Sequence, residues 1–487
     1  MRVLMVASEC VPLLKTGGLA DMVGGLSRAL VGLGCEPRVV MPSYPGVVEQ
    51  VHGVKQIAWY DDLFGGPATL STAEVDDGPG FVLLDAPHLF ARPGNPYLGS
   101  DGKDYSDNHL RFAALCRAAA RLVVEQPDGW AVDVVHAHDW QAGLTSAYLS
   151  LRGSGLPPKV FTIHNISFAG LFPAGELARL DLPSSLFHPE GLEFYGQISF
   201  LKAGLVYSDR LTTVSPTYAR QLQGAELGMG FEGVLLARRN HLSGILNGID
   251  ESIWNPETDP LIAKPFLSRS LTGKRANRVA LQSTMNLEPD TTSLLFVVVS
   301  RLTDQKGLDL LAAAVPALVA QGGQLALLGS GSAELESLFR RAAGEYSGRV
   351  AVRIGYDEPL SHLLIGGGDA ILVPSRFEPC GLTQLYGLRY GTIPIAARTG
   401  GLADSIIDAN EAALAVGTAT GILFGPDDLT ELERAIARSF ELFADRAAWE
   451  GLIRAAMRQP VGWSHSAAGY KHVYELARAQ QNPLHPP

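Results

Sequence analysis

Three stretches in the first half of the chain combine residue types able to hold an anion or a sugar. Lys15-Thr16-Gly17-Gly18-Leu19-Ala20-Asp21 sets a lysine beside two adjacent glycines. Paired glycines let backbone amides approach an anion at a helix start, and Lys15 adds a point charge for a phosphate. The spacing is neither a Walker A motif nor G-x-G-x-x-G, and the plain alternative is a strand–helix loop with a solvated lysine. His136-Ala137-His138-Asp139-Trp140-Gln141 gathers two histidines, an aspartate and a tryptophan at one strand end. His-x-His can supply two metal ligands. No third ligand lies at an obvious spacing, so sugar or phosphate recognition, with Trp140 as a packing or stacking surface, is the better reading. Thr162-Ile163-His164-Asn165 closes another strand. Its histidine suits hydrogen bonds to hydroxyls or the positioning of a leaving group; the alternative is a capping Asn beside a structural histidine.

The second half repeats the pattern with more charge. In Ser300-Arg301-Leu302-Thr303-Asp304-Gln305-Lys306-Gly307 the two bases stand five apart across a turn. A planar bidentate donor plus a point charge suits a diphosphate, where the alternative is an exposed basic turn. Asp304, between them, is expected to point to solvent. Gly329-Ser330-Gly331 offers further amides. In Glu378-Pro379-Cys380-Gly381-Leu382-Thr383-Gln384 the residues Gly381, Leu382 and Thr383 would present helix-start amides to a phosphate. Glu378 would accept hydroxyl hydrogen bonds or stabilise positive charge. Cys380 has no base nearby in sequence, which argues against a thiolate nucleophile. Gly400-Gly401-Leu402-Ala403-Asp404 echoes Gly17–Asp21.

These clusters need elements to carry them, and the chain supplies alternating short apolar runs and amphipathic stretches, the mark of α/β units with parallel sheets. Strands are predicted at 3–7, 38–42, 132–138, 160–164 and 211–214, with a looser meander or hairpin over 53–84. Leu19, Val23, Leu26, Leu30 and Leu33 recur at helical spacing, and further helices are predicted at 107–125, 198–206 and 215–223. Residues 255–292 are polar, carry a short helical piece at 272–284, and read as the passage out of the first unit. The second series places strands at 294–300, 324–328, 350–354, 370–374, 393–397 and 421–424. Its helices fall at 307–321, 333–343 and 383–389. Two units of about 240 and about 210 residues follow. In such open sheets ligands sit beyond the carboxyl ends of the strands, where the unusual residues cluster in both halves.

Composition bounds the partners. The chain has 487 residues, 46% of them hydrophobic and 18% charged. That is enough apolar surface for large cores and argues against disorder. A net charge of -11 excludes nucleic acid as the main partner, which needs a basic surface. It leaves room for an anionic small ligand in a local basic pocket. Cys10, Cys35, Cys116 and Cys380 are scattered, with no metal-ligand spacing, which suits a reducing cytoplasm. No signal-peptide pattern and no membrane-spanning run is found.

Taken together, in this order and at these separations, the motifs resemble the ADP-glucose-dependent glycogen and starch synthase family, on its bacterial side. The pieces that carry the resemblance are Lys15–Asp21, His136–Trp140, Thr162–Asn165, Asn247-Gly248-Ile249-Asp250, Ser300–Gly307 and Ser375-Arg376-Phe377-Glu378-Pro379-Cys380-Gly381-Leu382. The match spans nearly the whole chain. The resemblance implies the glycosyltransferase B fold, with two Rossmann-like domains facing a deep cleft. The domains would be an acceptor-side domain at 1–245 and a donor-side domain at 246–459. A C-terminal helix at 460–478 would cross back to the first, and a frayed tail would occupy 479–487. It implies a hexosyltransferase of glycogen biosynthesis that passes glucose from ADP-glucose to the non-reducing end of an α-1,4-glucan, with retention and no metal. Carried over by motif, the catalytic set would be Glu378, His164, Asp139, Arg301 and Lys306. Lys15, Gly17, Gly18, Asp21, Asn247, Cys380, Gly381, Leu382 and Thr383 would bind substrate, with Tyr356 stacking on the base and Ser8 and Glu9 as lesser members. Retention would follow a front-face route, or use Glu378 as a nucleophile. The partners are then ADP-glucose, ADP and glucan; a homo-oligomer is compatible with the sequence. The competing reading is a catalytically silent glucan-binding or regulatory protein on the same fold, against which the intact diphosphate-binding set argues. A nicotinamide oxidoreductase would need G-x-G-x-x-G after the first strand. A glucan phosphorylase would need a pyridoxal-phosphate lysine and a longer chain.

Overall fold

The computed structural model describes residues 1–481, with side chains to residue 480. The chain forms two α/β units. The first comprises Met1–Val214, Ala219–Asn247 and the chain from Trp463 onward; the second comprises Ser215–Tyr218 and Gly248–Gly462.

The main sheet of the first unit is built on β1 (Arg2–Val6), whose Val3–Val6 are wholly buried. Around it stand β2 (Glu36–Pro42), β3 (His52–Tyr60), β4 (Ala68–Glu74), β5 (Gly80–Asp85), β6 (Val134–His138) and β7 (Lys159–Ile163). A small three-stranded sheet, ordered β8-β10-β9, comes from β8 (Leu171–Pro173), β9 (Glu193–Phe194) and β10 (Gln197–Ser199), and β11 (Arg210–Thr213) and β12 (Leu242–Gly244) complete the main one. The main sheet runs β12-β11-β7-β6-β1-β2-β5-β4-β3. All its pairs are parallel except β3/β4 and β4/β5, the meander expected over 53–84. Chain order reverses between β1 and β6, which makes that point the topological switch of the sheet. The helix Gly18–Gly32 follows β1 and buries Leu19, Val23, Leu26 and Leu30 at the helical repeat.

The last helix, Trp463–Gln481, belongs to this unit. Trp463 lies over Gly25, where a Cβ would come within 2.1 Å of the indole nitrogen, and Lys471 donates to the Leu33 carbonyl at 2.9 Å. The tail expected from residue 479 is still helical at 479–481, and the rest of that expectation, 482–487, lies outside the described residues.

The second unit holds β13 (Leu295–Val299), β14 (Gln324–Gly329), β15 (Val350–Ile354), β16 (Ala370–Val373), β17 (Ile393–Ala397) and β18 (Ile422–Phe424). They form one parallel sheet ordered β15-β14-β13-β16-β17-β18, the doubly wound order of a Rossmann unit, with its switch between β13 and β16. Alternate residues of β13 enter two cores. Phe296 and Val298 join the core that contains Leu311, Leu318 and Ile436; Leu295 and Val297 join the core that contains Leu281, Leu364 and Ile365. Both faces are covered, which is why β13 reads as an unbroken apolar run.

Residues 255–292 are not a passage between units. Ile262, Phe266, Leu281 and Met285 are core residues of the second unit, and the helix Thr272–Thr284 packs on the helix Glu358–Gly367. The latter helix and those at Leu429–Ala444 and Arg446–Met457 lie outside the elements expected from sequence. The domain boundary also differs from a single break at 245. Ser215–Tyr218 falls with the second unit, where Ser215 Oγ donates to the Pro379 carbonyl at 2.6 Å and Thr217 donates twice to Asp404. The first unit runs on to Asn247.

Candidate active site

In the first unit the candidate residues stand at the carboxyl ends of β1, β6 and β7, around the switch point. Glu9, just beyond β1, is buried. Its carboxylate accepts from the Thr16 amide at 2.5 Å, from Thr16 Oγ1 at 2.8 Å and from Tyr97 Oη at 3.1 Å. The Ser8 hydroxyl bonds the same Tyr97 at 2.8 Å. Burial pushes the Glu9 carboxyl up, and the hydrogen bonds from Thr16, Tyr97 and the Gly17 amide pull against it. Glu9 therefore fixes the loop that carries Lys15, Gly17 and Gly18. Gly17 caps the following helix in an extended conformation and Gly18 is its first residue. Lys15 Nζ lies 2.9 Å from Asp21 Oδ1, one turn along that helix.

At the end of β6, Asp139 takes φ +55 and is 7% exposed. A left-handed conformation is unfavourable for a residue with a Cβ and is retained where surroundings hold it. Asp139 Oδ1 accepts from the His164 amide at 2.8 Å, joining the ends of β6 and β7. Burial pushes its carboxyl up to about 7. The His164 ring shares a 3.2 Å hydrogen bond with His138 Nδ1. Burial pushes the His136 and His164 imidazoles down to about 3 and lowers His138 as well. All three are neutral near pH 7 and act as hydrogen-bonding groups. His136 is structural: its Nδ1 bonds Tyr474 Oη at 2.8 Å and its Nε2 bonds Thr162 Oγ1 at 2.6 Å. With both nitrogens engaged, the His-x-His pair is no two-ligand metal site.

In the second unit a cavity of about 190 Å³ opens at the ends of β13 and β16. It is lined by Arg301, Lys306, Ser375, Glu378 and the segment Gly381–Thr383. Lys306 Nζ donates to Glu378 Oε2 at 2.5 Å, and Ser375 Oγ donates to the same oxygen at 3.0 Å. Glu378 is buried and Arg301 exposed at the rim. Gly381 takes φ +74 and turns the chain into the helix Thr383–Tyr390, whose first residue, Thr383, lines the cavity. Helix starts favour negative charge. The turn bearing Lys306 is fastened to the Glu378 segment by Arg376. The Arg376 amide donates to the Gln305 carbonyl at 3.0 Å, and its guanidinium to the Asp304 carbonyl and, twice, to Asp309, each at 2.7 Å. Asp304 is exposed, as expected.

The structure thus brings together Lys15 with Asp21, Asp139 with His164, and Arg301, Lys306, Glu378, Gly381, Leu382 and Thr383. Three expected residues stand apart. Tyr356 follows β15, two strands from β13; it is 79% exposed, donates to Glu358 at 2.8 Å and does not line the cavity. Cys380 is buried outside that lining. Asn247, beyond β12, is buried, and its carboxamide oxygen has no hydrogen-bond partner among the described residues. Sequence reasoning gave no role to Tyr97, Gln305, Ser375 or Arg376. Gln305, Ser375 and Arg376 sit inside motifs already singled out; Tyr97 left no local signal.

Two doubly wound units with a basic, phosphate-sized cavity at a switch point define a glycosyltransferase of the B fold. Residues 2–237 match the family described as starch synthase catalytic domain, and residues 293–441 match glycosyl transferases group 1. The chain is 54% identical over 475 residues to a glycogen synthase of Roseobacter denitrificans, covering 98% of this chain and 99% of that one. It is 52% identical over 478 residues to one of Paracoccus denitrificans, covering 98% and 100%. It belongs to the bacterial glycogen synthase family. Among solved structures, the catalytic domain of starch synthase IV from Arabidopsis thaliana bound to ADP and acarbose aligns with TM-score 0.89 at 30% identity, covering 98% of this chain and 99% of that one. A sucrose-phosphate synthase from Thermosynechococcus elongatus aligns with TM-score 0.60 at 18% identity, over 98% and 99%, a likeness of fold alone.

Proposed function

We propose that this glycosyltransferase takes glucose from ADP-glucose and adds it to the non-reducing end of an α-1,4-glucan, with retention, releasing ADP. The observation that carries the reading is the second-unit cavity, where a guanidinium, an ammonium and a helix start line one small space. Negative charge that develops on a departing diphosphate needs fixed positive partners already in place. Arg301 and Lys306 supply two, and Gly381–Thr383 add backbone donors, so the reaction as proposed calls for no metal ion. Glu378 holds Lys306 over the cavity. With Oε2 bonded to both Lys306 and Ser375, it is better suited to electrostatic and hydroxyl contacts than to nucleophilic attack. A front-face route follows, in which the leaving phosphate takes the proton of the acceptor hydroxyl. Asp139 and His164 would hold the sugar and acceptor, Lys15 would reach the diphosphate, and Tyr356 would stack on the base. The Arabidopsis structure, described as bound to ADP and acarbose, supports an adenine nucleotide and a glucan-like sugar as the ligand pair. No helix among the described residues is long and apolar enough to cross a membrane, and Cys10, Cys35, Cys116 and Cys380 are unbridged. We place the reaction in the cytoplasm.

The test is incorporation of labelled glucose into glycogen from ADP-glucose and from UDP-glucose without added metal, with Glu378→Ala and Lys306→Ala alongside. The expected outcome is incorporation from ADP-glucose that drops at least about 100-fold in both variants. Glucan binding without incorporation from either donor would favour a silent binding protein.

A further inference from the structure

The first unit holds a second cavity, of about 480 Å³, that the reaction above does not use. Its walls include Tyr44, Phe90, Arg92, Pro96, Tyr105 and Arg111. The charges of this wall do not balance. Arg92 donates both guanidinium nitrogens to Asp107, at 2.7 and 2.6 Å. Arg111 is 1% exposed and hydrogen-bonds to neutral groups alone: its Nε donates to the Leu89 carbonyl, and its Nη1 to the Pro96 carbonyl and Asn108 Oδ1, while Asp107, which acts on its charge from a distance, is already engaged by Arg92. Its Nη2 makes no hydrogen bond among the described residues. Tyr44 lines the same space, and its hydroxyl is buried without a partner. The Tyr105 ring lies under both guanidinium groups, 4.6 Å from Arg111 and 5.4 Å from Arg92. Buried charges are ordinarily paired, and a guanidinium with free donors beside a roomy cavity matches a phosphate.

We propose that this cavity binds a small organic phosphate of monosaccharide size, its phosphate held by Arg111 and its body against Tyr105 and the 93–96 turn. The volume falls in the range of sites for such ligands and is too large for inorganic phosphate alone. Occupancy bears on the candidate active site through two covalent neighbours. Leu14, also in the wall, precedes Lys15. Pro96 precedes Tyr97, whose hydroxyl donates to Glu9, the residue that fixes Thr16. A ligand that tightens both segments lowers the KM for the nucleotide sugar with little change in kcat. That regulatory half rests on the proposed reaction; the binding half does not.

Calorimetric titration with fructose 6-phosphate tests the binding half, since its body is not the glucose ring the reaction handles; fructose and inorganic phosphate are the controls. The expected result is one site per chain for fructose 6-phosphate, with both controls at least about tenfold weaker. Arg111→Gln would weaken it. Because that buried change threatens folding, Ala91→Trp, at an exposed position on the cavity wall, serves as the second variant and should lose binding with its fold intact. Arg301→Ala, in the other unit, should bind as the wild type does. Full affinity in Ala91→Trp, no binding in the wild type, or inorganic phosphate binding as tightly would each overturn the assignment. Binding with an unchanged KM for ADP-glucose would overturn the regulatory half alone.

Discussion

Asp139 combines a left-handed backbone with near-complete burial, and the two can be separated by pH. The unfolded carboxyl titrates near 3.8 and the folded one at about 7. Between those values the folded chain holds the extra proton, so the residue costs nothing below about pH 4 and costs progressively more as pH rises to 7. The ceiling is about 4 kcal/mol, at about 1.4 kcal/mol per pH unit. Asn tolerates the left-handed region better and carries no charge. Asp139→Asn should therefore gain about 1–2 kcal/mol at pH 8 and much less at pH 4. It should also lower glucose transfer by at least about tenfold. Denaturant unfolding at both pH values checks this; an equal gain at both would remove ionisation as the cause. Motif reading singled out Asp139, His164, Lys306 and Glu378 because their residue types are unusual at strand ends. It could not find Tyr97, which acts 88 positions away from Glu9 through one hydroxyl. An aromatic residue in a polar loop has no periodicity to read.

At the scale of elements, the donor-side candidates depend on a turn and a strand end meeting. Gly307 takes φ +61, and a Cβ there would lie 2.0 Å from the Pro374 carbonyl oxygen. Backbone against backbone leaves no side chain to swing away. Gly307→Ala should cost about 2–4 kcal/mol and move Lys306 off Glu378. The readouts are the unfolding midpoint and the KM for ADP-glucose, and both must rise or fall as stated: midpoint down, KM up. A shift in neither would remove the close approach as the reason for glycine. Strands such as β13, β16 and β17 were legible because sheets covered on both faces write continuous apolar runs. Their neighbours across the sheet were not. Lys306 and Glu378 are 72 positions apart, and strand order decides whether they meet. The helix at 358–367 escaped for a different reason: it is buried on most sides and so lacks contrast between faces, whereas the helix at 429–444, with Leu432, Ala435, Ile436 and Ser439 on one buried face, carries a periodic signal that could have been read.

At the scale of the molecule, the chain changes unit four times, after Val214, Tyr218, Asn247 and Gly462. The last change returns Trp463–Gln481 to the first unit, where Tyr474 satisfies His136 and Trp463 covers Gly25. Removing residues 463–487 should leave His136 with a buried unpaired nitrogen, about 1–3 kcal/mol for that group alone, beside the lost apolar cover. Hydrogen exchange of the truncated chain is expected to show lost protection in β1, β6 and the helix Gly18–Gly32, with β13, β16 and β17 still protected. Loss spread evenly over both units would contradict the assignment of that helix. The same return sets an order of events on the ribosome. The second unit has its last strand and helices out of the exit tunnel while the first still lacks its closing helix, which is translated after them. The N-terminal half, though made first, is thus the half that matures last. Until that helix emerges, it presents the bare surface around Gly25 and His136 to the nascent-chain environment.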